Sequence, residues 1–363
     1  MTAVITLEQI EKSGAEKYVF VDLRGEIAYE HGHIPGAVCW NMGDSIEDLP
    51  DNRKWIFYCS VGKNSLEIVR KLRGQGYEAY SLQGGYKAWL VKNLDEQGLN
   101  QWQRYNRQMI LAQVGTEGQK KLKNAKILIA GAGGLGAPAA LYLAGAGIGT
   151  IGIMDADIVN ISNLHRQIIH TLDRVAMNKA ESAKVAIEQL NDLVQVKVYP
   201  CFLTAKNAEE IIGKYDFVID AVDNIQTKFL INDTCVLLKK PFCHAGVLQY
   251  QGQVMTYVPG NYPCYRCVFE EIPEERVSNC SQAGILGAVA GIIGSVQALE
   301  AMKYILGIGE LLVGKMLVFD GVSMKMRIVR YPNKNKNCRV CGEKKEINSI
   351  KENAGEYTRY CNV

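Results

Sequence analysis

Short apolar runs alternate along this chain with segments whose apolar residues recur at helical spacing. Buried strands followed by amphipathic helices are the signature of an α/β protein. In the first hundred residues the strands are Tyr18-Val19-Phe20-Val21-Asp22-Leu23, Lys54-Trp55-Ile56-Phe57-Tyr58-Cys59 and Ala79 to Leu82. A helix opens at Ser65, carries Ile68, Val69 and Leu72 on one face and stops at Gly74 and Gly76; Gly84-Gly85 leads into another through Trp89 and Leu90. Further on, the pattern predicts a strand at Ile127 to Ala130, a helix through Leu143 and a strand at Thr150 to Met154. A helix from Lys179 with Ala183, Ala186, Ile187 and Leu190, and a strand from Phe217 to Asn224 that ends in acid, follow.

Between Val91 and Trp102 the chain turns polar, which places a join there. The organisation expected is a small α/β domain at 1–95, a linker at 96–103, a larger α/β domain with a mainly parallel sheet at 104–341, and a polar tail at 342–363. Ile127 to Met154 carries no charge and is longer than the ~18 residues of a membrane span. Its glycines and Pro138 divide it into strand, turn, helix, turn and strand instead. Ala283 to Leu299 reads as a buried helix, because Gln297, Glu300 and Lys303 close it. Met1 to Lys17 holds Glu8, Glu11 and Glu16 without the apolar centre of a leader. A soluble, cytoplasmic protein with no membrane partner is the expectation.

Charge and composition narrow the classes further. With 41 basic and 38 acidic residues the formal charge is +3, too balanced for a dedicated nucleic-acid binder. A content of 48% hydrophobic residues provides for packed cores and excludes global disorder. Eleven cysteines, an odd number spread over 363 residues, do not form a secreted disulfide scaffold and point to metal ligation or thiol chemistry.

Cys59-Ser60-Val61-Gly62-Lys63-Asn64-Ser65 lies between a strand end and a helix start. Such a loop wraps amide N–H groups around the sulfur, and the helix dipole adds positive potential, so Cys59 is a candidate nucleophile with a lowered pKa. On spacing alone, an inert cysteine at a strand end remains equally open. Together with Asp22-Leu23-Arg24, His31-Gly32-His33-Ile34-Pro35-Gly36-Ala37 and Leu82-Gln83-Gly84-Gly85-Tyr86-Lys87-Ala88-Trp89, the loop resembles the landmarks of rhodanese-type sulfurtransferases. The resemblance implies that Cys59 carries sulfane sulfur as a persulfide, supplied by a cysteine desulfurase or another sulfane-sulfur donor. Asn64 stands where many rhodaneses have an arginine, which weakens the cationic pull at the loop. His31 and His33 are expected to organise the loop before Pro35 rather than to bind metal.

Gly131-Ala132-Gly133-Gly134-Leu135-Gly136 joins a strand to a helix in the Gly-x-Gly-x-x-Gly arrangement, which lets phosphate oxygens reach backbone amides. Asp155-Ala156-Asp157 ends the next strand, where a carboxylate meets ribose hydroxyls, so a dinucleotide-dependent oxidoreductase is one reading. Arg166 and Lys179 suit a triphosphate better. Lys179 sits in a first helical turn, opposing the dipole at a cost of ~0.3–1 kcal/mol unless an anion offsets it. A bound phosphate is one such offset; a solvated lysine that tolerates the position is the other reading. Asp223, at the acidic end of the strand Phe217 to Asn224, is placed to hold Mg²⁺ through one carboxylate.

These segments, with Arg104-Tyr105-Asn106-Arg107-Gln108, Asn163-Leu164-His165-Arg166-Gln167, Asn178-Lys179 and Asp223-Asn224, resemble the ThiF/MoeB proteins, relatives of ubiquitin-activating enzymes, from about Arg104 to Cys341. The resemblance implies an ATP-dependent adenylyltransferase acting on the C-terminal glycine carboxylate of a ubiquitin-like sulfur-carrier protein ending in Gly-Gly. It assigns Asp155 to the ribose, Arg166 and Lys179 to the phosphates, and Gly131, Gly133, Gly134, Gly136, Asp157 and Asn163 to the nucleotide surroundings. Arg107 resembles an arginine that reaches the nucleotide from the partner subunit, implying a homodimer. His165 replaces a glutamine common at that place.

Cys264-Tyr265-Arg266-Cys267 and Cys338-Arg339-Val340-Cys341 are two Cys-x-x-Cys pairs; four thiolates make a closed structural Zn²⁺ site, with redox pairs as the other reading. The ThiF/MoeB resemblance favours zinc. Cys280 resembles the family cysteine that forms or resolves an acyl-disulfide link. Cys39, Cys201, Cys235 and Cys243 are expected in the core. The function these readings converge on is a fused adenylyltransferase and sulfurtransferase whose product is a carrier thiocarboxylate. An activating enzyme that makes a thioester for conjugation, with a degenerate rhodanese unit, is the alternative.

Overall fold

The computed structural model describes residues 3–41, 43–50, 53–93, 96–270 and 284–357, with the backbone alone for 96–101. It divides into two compact units, Met1–Lys120 and Lys121–Val363.

The first unit is built on a fully parallel sheet of β1 (Val4–Ile5), β2 (Tyr18–Asp22), β3 (Val38–Cys39), β4 (Lys54–Tyr58) and β5 (Ala79–Leu82), in the order β1-β5-β4-β2-β3. Alternate residues of β2 and β4 face opposite sides, as a pleated strand requires. Val19, Val21, Trp55 and Phe57 form one core with Val69 and Leu72, while Ile56 and Tyr58 join Ile5, Ile10 and Ile34 on the other side. The helices are α1 (Leu7–Ser13), α2 (Glu26–Glu30), α3 (Lys63–Gly74) and α4 (Gly85–Lys92). Thr6 and Gln9 close a reciprocal capping box at the start of α1.

The expected linker at 96–103 is instead the first part of α5 (Glu96–Met109). Its polar composition conceals an apolar stripe, with Trp102 and Tyr105 buried and Met109 half-buried on one face. This helix and the start of α6 (Gly115–Asn124), which the sequence assigned to the larger domain, fall in the first unit. Thr116 Oγ1 and Glu117 N both donate to His31 O, at 3.3 and 3.4 Å.

The second unit carries an eight-stranded sheet in the order β13-β12-β11-β10-β9-β6-β7-β8. Its strands are β6 (Lys126–Ala130), β7 (Thr150–Met154), β8 (Gln195–Tyr199), β9 (Phe217–Asp220), β10 (Phe242–Leu248), β11 (Gln251–Tyr257), β12 (Lys315–Asp320) and β13 (Lys325–Arg330). Strands β8-β7-β6-β9-β10 are parallel neighbours, as expected, and β11 to β13 extend the sheet antiparallel. The helices are α7 (Gly136–Ala146), α8 (Lys179–Leu190), α9 (Ala208–Gly213), α10 (Ile225–Leu237), α11 (Tyr265–Phe269) and α12 (Gly287–Leu306). The uncharged run from Ile127 thus resolves into β6, the glycine loop, α7 and β7. Helix α12 has the length and composition of a membrane span, yet half of it is buried against α7, β10 and β11. It carries the buried Gln297 and Glu300; the latter accepts hydrogen bonds from Thr256 Oγ1 at 2.6 Å and Leu312 N at 2.7 Å.

The expected polar tail at 342–363 is only partly one. Ile347 and Ile350 are fully buried and Tyr357 nearly so, all packed into the core of the second unit, while Arg339 bonds Glu346 and Glu356 across the surface. Three apolar anchors among lysines and glutamates were too sparse to read as packing. Ile350→Ala should therefore cost about 2–5 kcal/mol, the usual loss for emptying a buried aliphatic site. Denaturant unfolding measures it, and a change within about 0.5 kcal/mol would show that the segment is not part of the core.

Candidate nucleotide, thiolate and metal sites

A cavity of about 500 Å³ opens at the C-terminal ends of β6, β7 and β9, where the loops of a parallel sheet bind ligands. Gly131, Gly133 and Gly134 line it. Gly131 has φ +99°, and a Cβ there would lie 2.6 Å from Ala221 O, so the turn requires glycine. Gly136 is buried in the first turn of α7, where a Cβ would collide with Gly131 O; its role is close packing rather than nucleotide contact. His170 supports the loop from behind: Nε2 lies 2.9 Å from Ala132 O and Nδ1 2.9 Å from Ser182 Oγ. Burial, with a smaller contribution from the Lys179 charge, pulls this imidazole down to about 4, so it is neutral and donates to Ala132 O.

Asp155 joins the loop to the end of β7. Its Oδ2 accepts from Ala132 N at 2.8 Å and its Oδ1 from Asp157 N at 2.9 Å. Burial raises its pKa despite the opposing pull of Lys179 and these N–H groups. Asn178 caps α8 through Ala180 N and Glu181 N and donates to Asp155 O and Asp157 O. Lys179 follows, its Nζ 2.8 Å from Asp157 Oδ2. The anion that offsets this lysine at the helix start is thus Asp157, and the offset does not need a bound phosphate.

Arg166 also lines the cavity, its Nη1 donating to Ser162 O at 3.0 Å. Asp223 is exposed in the lining just before α10, whose first turn Asn224 caps through Thr227 N at 2.8 Å. Asn163 is spent elsewhere: its Oδ1 accepts from Asn160 N at 3.0 Å in a capping box. Arg107 is exposed on α5 of the first unit. Cys280 and Cys361 lie outside the described residues. Cys235 and Cys243 are buried as expected, with burial raising both thiols, but Cys201 lines the cavity.

Sequence reasoning missed a group in the cavity wall, where Lys228 and His244 of the lining converge on the buried Asp220. Lys228 Nζ donates to both carboxylate oxygens of the buried Asp220 at 3.2 Å and to Ala245 O at 2.7 Å. His244 Nδ1 is 2.7 Å from Asp220 Oδ2, and Gln297 Nε2 donates to Asp220 O at 2.8 Å. Burial pushes the Asp220 carboxyl up, but the Lys228 charge and then His244 hold it below the usual value, while burial pulls His244 down to about 4. Lys228 and His244 meet Asp220 from α10 and β10, a convergence no sequence spacing announces.

In the first unit, Cys59 follows β4 and is 7% exposed. Burial alone pushes its thiol up. Hydrogen bonds from the Ser65 backbone and hydroxyl and from the Val61 and Asn64 N–H groups outweigh burial, so the pKa is lowered. Ser65 Oγ lies 3.7 Å from Sγ and 2.9 Å from Ser81 Oγ. Asp22 and Arg24 pair through Arg24 Nη2 at 2.6 Å, Tyr58 Oη donates to Asp22 Oδ2 at 2.7 Å, and the guanidinium stacks 3.7 Å from the Tyr86 ring centroid. His31 and His33 place Nδ1 on Ile27 O and Tyr29 O, as expected of loop organisers.

The two Cys-x-x-Cys pairs meet. Sulfur separations are 3.9 Å for Cys264–Cys267, 3.7 Å for Cys264–Cys338, 3.3 Å for Cys267–Cys341 and 3.5 Å for Cys264–Cys341. Four thiolates about 2.3 Å from one ion would stand about 3.8 Å apart, and a disulfide would need about 2.05 Å, so the set fits a tetrahedral metal. Arg266, between two ligands, bonds the buried Asp233 of α10 through Nε at 2.9 Å and Nη2 at 2.8 Å, and Tyr357 Oη adds a bond at 2.9 Å.

A parallel-sheet nucleotide fold is thus joined to a small sheet that holds a lowered thiol. Residues 105–340 match the ThiF family and residues 6–92 the Rhodanese-like domain. The chain belongs to the ThiF family and carries a rhodanese-like domain. It is 42% identical over 297 residues to "Adenylyltransferase and sulfurtransferase MOCS3" of Culex quinquefasciatus, covering 81% of this chain and 67% of that protein. The Drosophila ananassae protein of the same name is 47% identical over 248 residues, 68% of this chain and 55% of its own length. Among solved structures, E. coli MccB with MccA-N7isoASN shares the fold with a TM-score of 0.60 at 23% identity, over 71% of this chain and 86% of that one. E. coli MccB with ATP gives 0.56 at 22%, over 71% and 85%. The chain spans 55% to 67% of the length of these two curated relatives.

Alkylation of Cys59 by iodoacetamide should rise with an inflection below that of an ordinary exposed thiol, and Ser65→Ala should move it upward. An unmoved inflection would show that the Ser65 hydroxyl does not hold the thiolate. Elemental analysis should find a stoichiometric divalent metal in the native chain and little in Cys338→Ser; equal metal in both would remove the cluster as its site.

Proposed function

We propose that this chain activates the C-terminal carboxylate of a ubiquitin-fold sulfur carrier ending in Gly-Gly and then replaces one carboxylate oxygen with sulfur from Cys59. The observation that carries this reading is the pairing, in one chain, of a cavity ringed by Asp155, Arg166, Lys179 and Asp223 with a separate thiol whose pKa is lowered. The names of the curated relatives support the same two activities.

A carboxylate is a poor electrophile until it is joined to AMP. Its oxygen attacks the α-phosphorus of ATP, the bond to the β-phosphate oxygen breaks, and pyrophosphate leaves. Arg166 and Lys179 offset the charge of the two anions that meet, and Asp155 orients the ribose. Asp223 would hold Mg²⁺, which would supply further charge neutralisation on the phosphates. Lys179 is already oriented by Asp157, so little reorganisation is needed. Arg107 completes the site of the partner subunit in a homodimer. The terminal sulfur of the Cys59 persulfide, loaded by a cysteine desulfurase or similar donor, attacks the acyl carbon, and AMP leaves. A second thiol, from Cys280 or a reductant, attacks the Cys59 sulfur; the thiocarboxylate departs and a disulfide remains. Zn²⁺ at the four cysteines is structural, since four thiolates leave it no open position. Free thiols of this kind suit the reducing cytoplasm.

Carrier-dependent pyrophosphate exchange should fall by about 10²–10³ in Arg166→Ala and in Asp223→Ala, the usual worth of one preorganised charge contact. Near-normal exchange would remove that residue from the clamp. The carrier, weighed after incubation with ATP and a persulfide donor, should show sulfur in place of one oxygen.

A further inference from the structure

The rhodanese-like match ends at residue 92, but the cavity in front of Cys59 is not closed by that domain alone. The cavity measures about 360 Å³, and one of its walls is Trp102, Met109, Ile110, Leu111, Ala112 and Thr116, from the end of α5 and the turn into α6. These residues lie in the same compact unit as Cys59, although most of them fall within the stretch that matches the ThiF family.

The wall is held by backbone contacts that require glycine. Thr116 Oγ1 and Glu117 N donate to His31 O, and Gly115, at φ +54°, approaches so closely that a Cβ would stand 2.6 Å from the same oxygen. Across the contact a Cβ on Gly32 would meet Thr116 Oγ1 at 2.5 Å and Tyr86 Oη at 3.1 Å. Bare backbone on both sides lets the turn seat against the loop before Pro35.

We propose that this wall makes the cavity a slot for the side-chain-free terminus of the sulfur acceptor, so that residues 109–116 select the acceptor rather than the sulfur donor. The proposal rests on the reading given under Proposed function. Two observations support it. Ala28, Gly32, Ala112 and Gly115 are small residues in the lining, which suits an extended chain end without side chains. Val61, Ile110 and Leu111 border the same cavity with 59%, 57% and 57% of their surface exposed, an apolar rim that favours a covering polypeptide over a small hydrophilic ion.

Ala112 lies in an exposed turn, so a larger side chain there fills the slot without disturbing a core. The full-length Ala112→Phe chain should load Cys59 from inorganic polysulfide, pass sulfur to cyanide and catalyse carrier-dependent pyrophosphate exchange, each within about threefold of the original. Thiocarboxylate formation on the Gly-Gly-ended carrier that supports exchange should fall by about tenfold or more. Ile110→Glu should raise the KM for the loaded carrier in the sulfur-transfer step with persulfide loading unchanged. Unaltered thiocarboxylate formation in both variants would overturn the proposal. So would an equal fall with cyanide and carrier, which assigns the wall to shaping Cys59, or a fall in loading that matches the fall in transfer, which assigns it to the donor. Absence of exchange in the unsubstituted chain would instead sink the adenylation reading and is separately scored.

Discussion

Asp155 is the contact on which the nucleotide site rests. One carboxylate accepts from the glycine loop at Ala132 and from Asp157 in the following turn, binding the ends of β6 and β7 into a single edge. Asp157 then holds Lys179, and Asn178 ties the start of α8 to both carbonyls. The acid after β7, the lysine at the start of α8 and the glycine loop are therefore positioned by one short chain of hydrogen bonds. Loss of the Asp155 carboxylate would leave a buried Ala132 N–H without an acceptor, at a cost of about 1–3 kcal/mol, and would loosen every member of the set.

The thiol site is organised by a different device. Cys59 gains its acidity from amide and hydroxyl donors rather than from an adjacent cation, since the nearby guanidinium of Arg24 is committed to Asp22. Sulfur that must be taken from one partner and passed to another is better served by such neutral donors, which hold a thiolate or a persulfide without pairing it too tightly to react. Adenylation, by contrast, brings two anions together and needs full charges.

The metal cluster shows how far a few residues reach. Ligands separated by more than seventy positions converge within 4.8 Å, and Arg266, which sits between two of them, is bound to Asp233 of α10 and through it to Tyr357. Burial raises the Asp233 carboxyl against the opposing pull of the Arg266 guanidinium and two further donors, Asn232 and Tyr357. A buried pair of this kind is costly to break from one side. The C-terminal segment is thereby secured to the same helix whose first turn presents Asn224 to the nucleotide cavity.

What the sequence determined by itself was local. Strand runs, the glycine loop, the acids after β7 and β9 and the paired Cys-x-x-Cys motifs are encoded in neighbouring residues, and β2, β4, β5, β6, α7 and β7 stand where that pattern placed them, while β9 ends at Asp220, four residues short of the run the pattern gave it. Tertiary structure decided what depends on residues meeting from distant parts of the chain. The polar stretch at 96–103 became a helix because Trp102 and Tyr105 found an apolar face, and the polar tail became core at Ile347, Ile350 and Tyr357 for the same reason. Lys179 took its anion from Asp157, and Asp220, Lys228 and His244 assembled from three elements. Burial and pairing are properties of the packed molecule, and only packing could assign them.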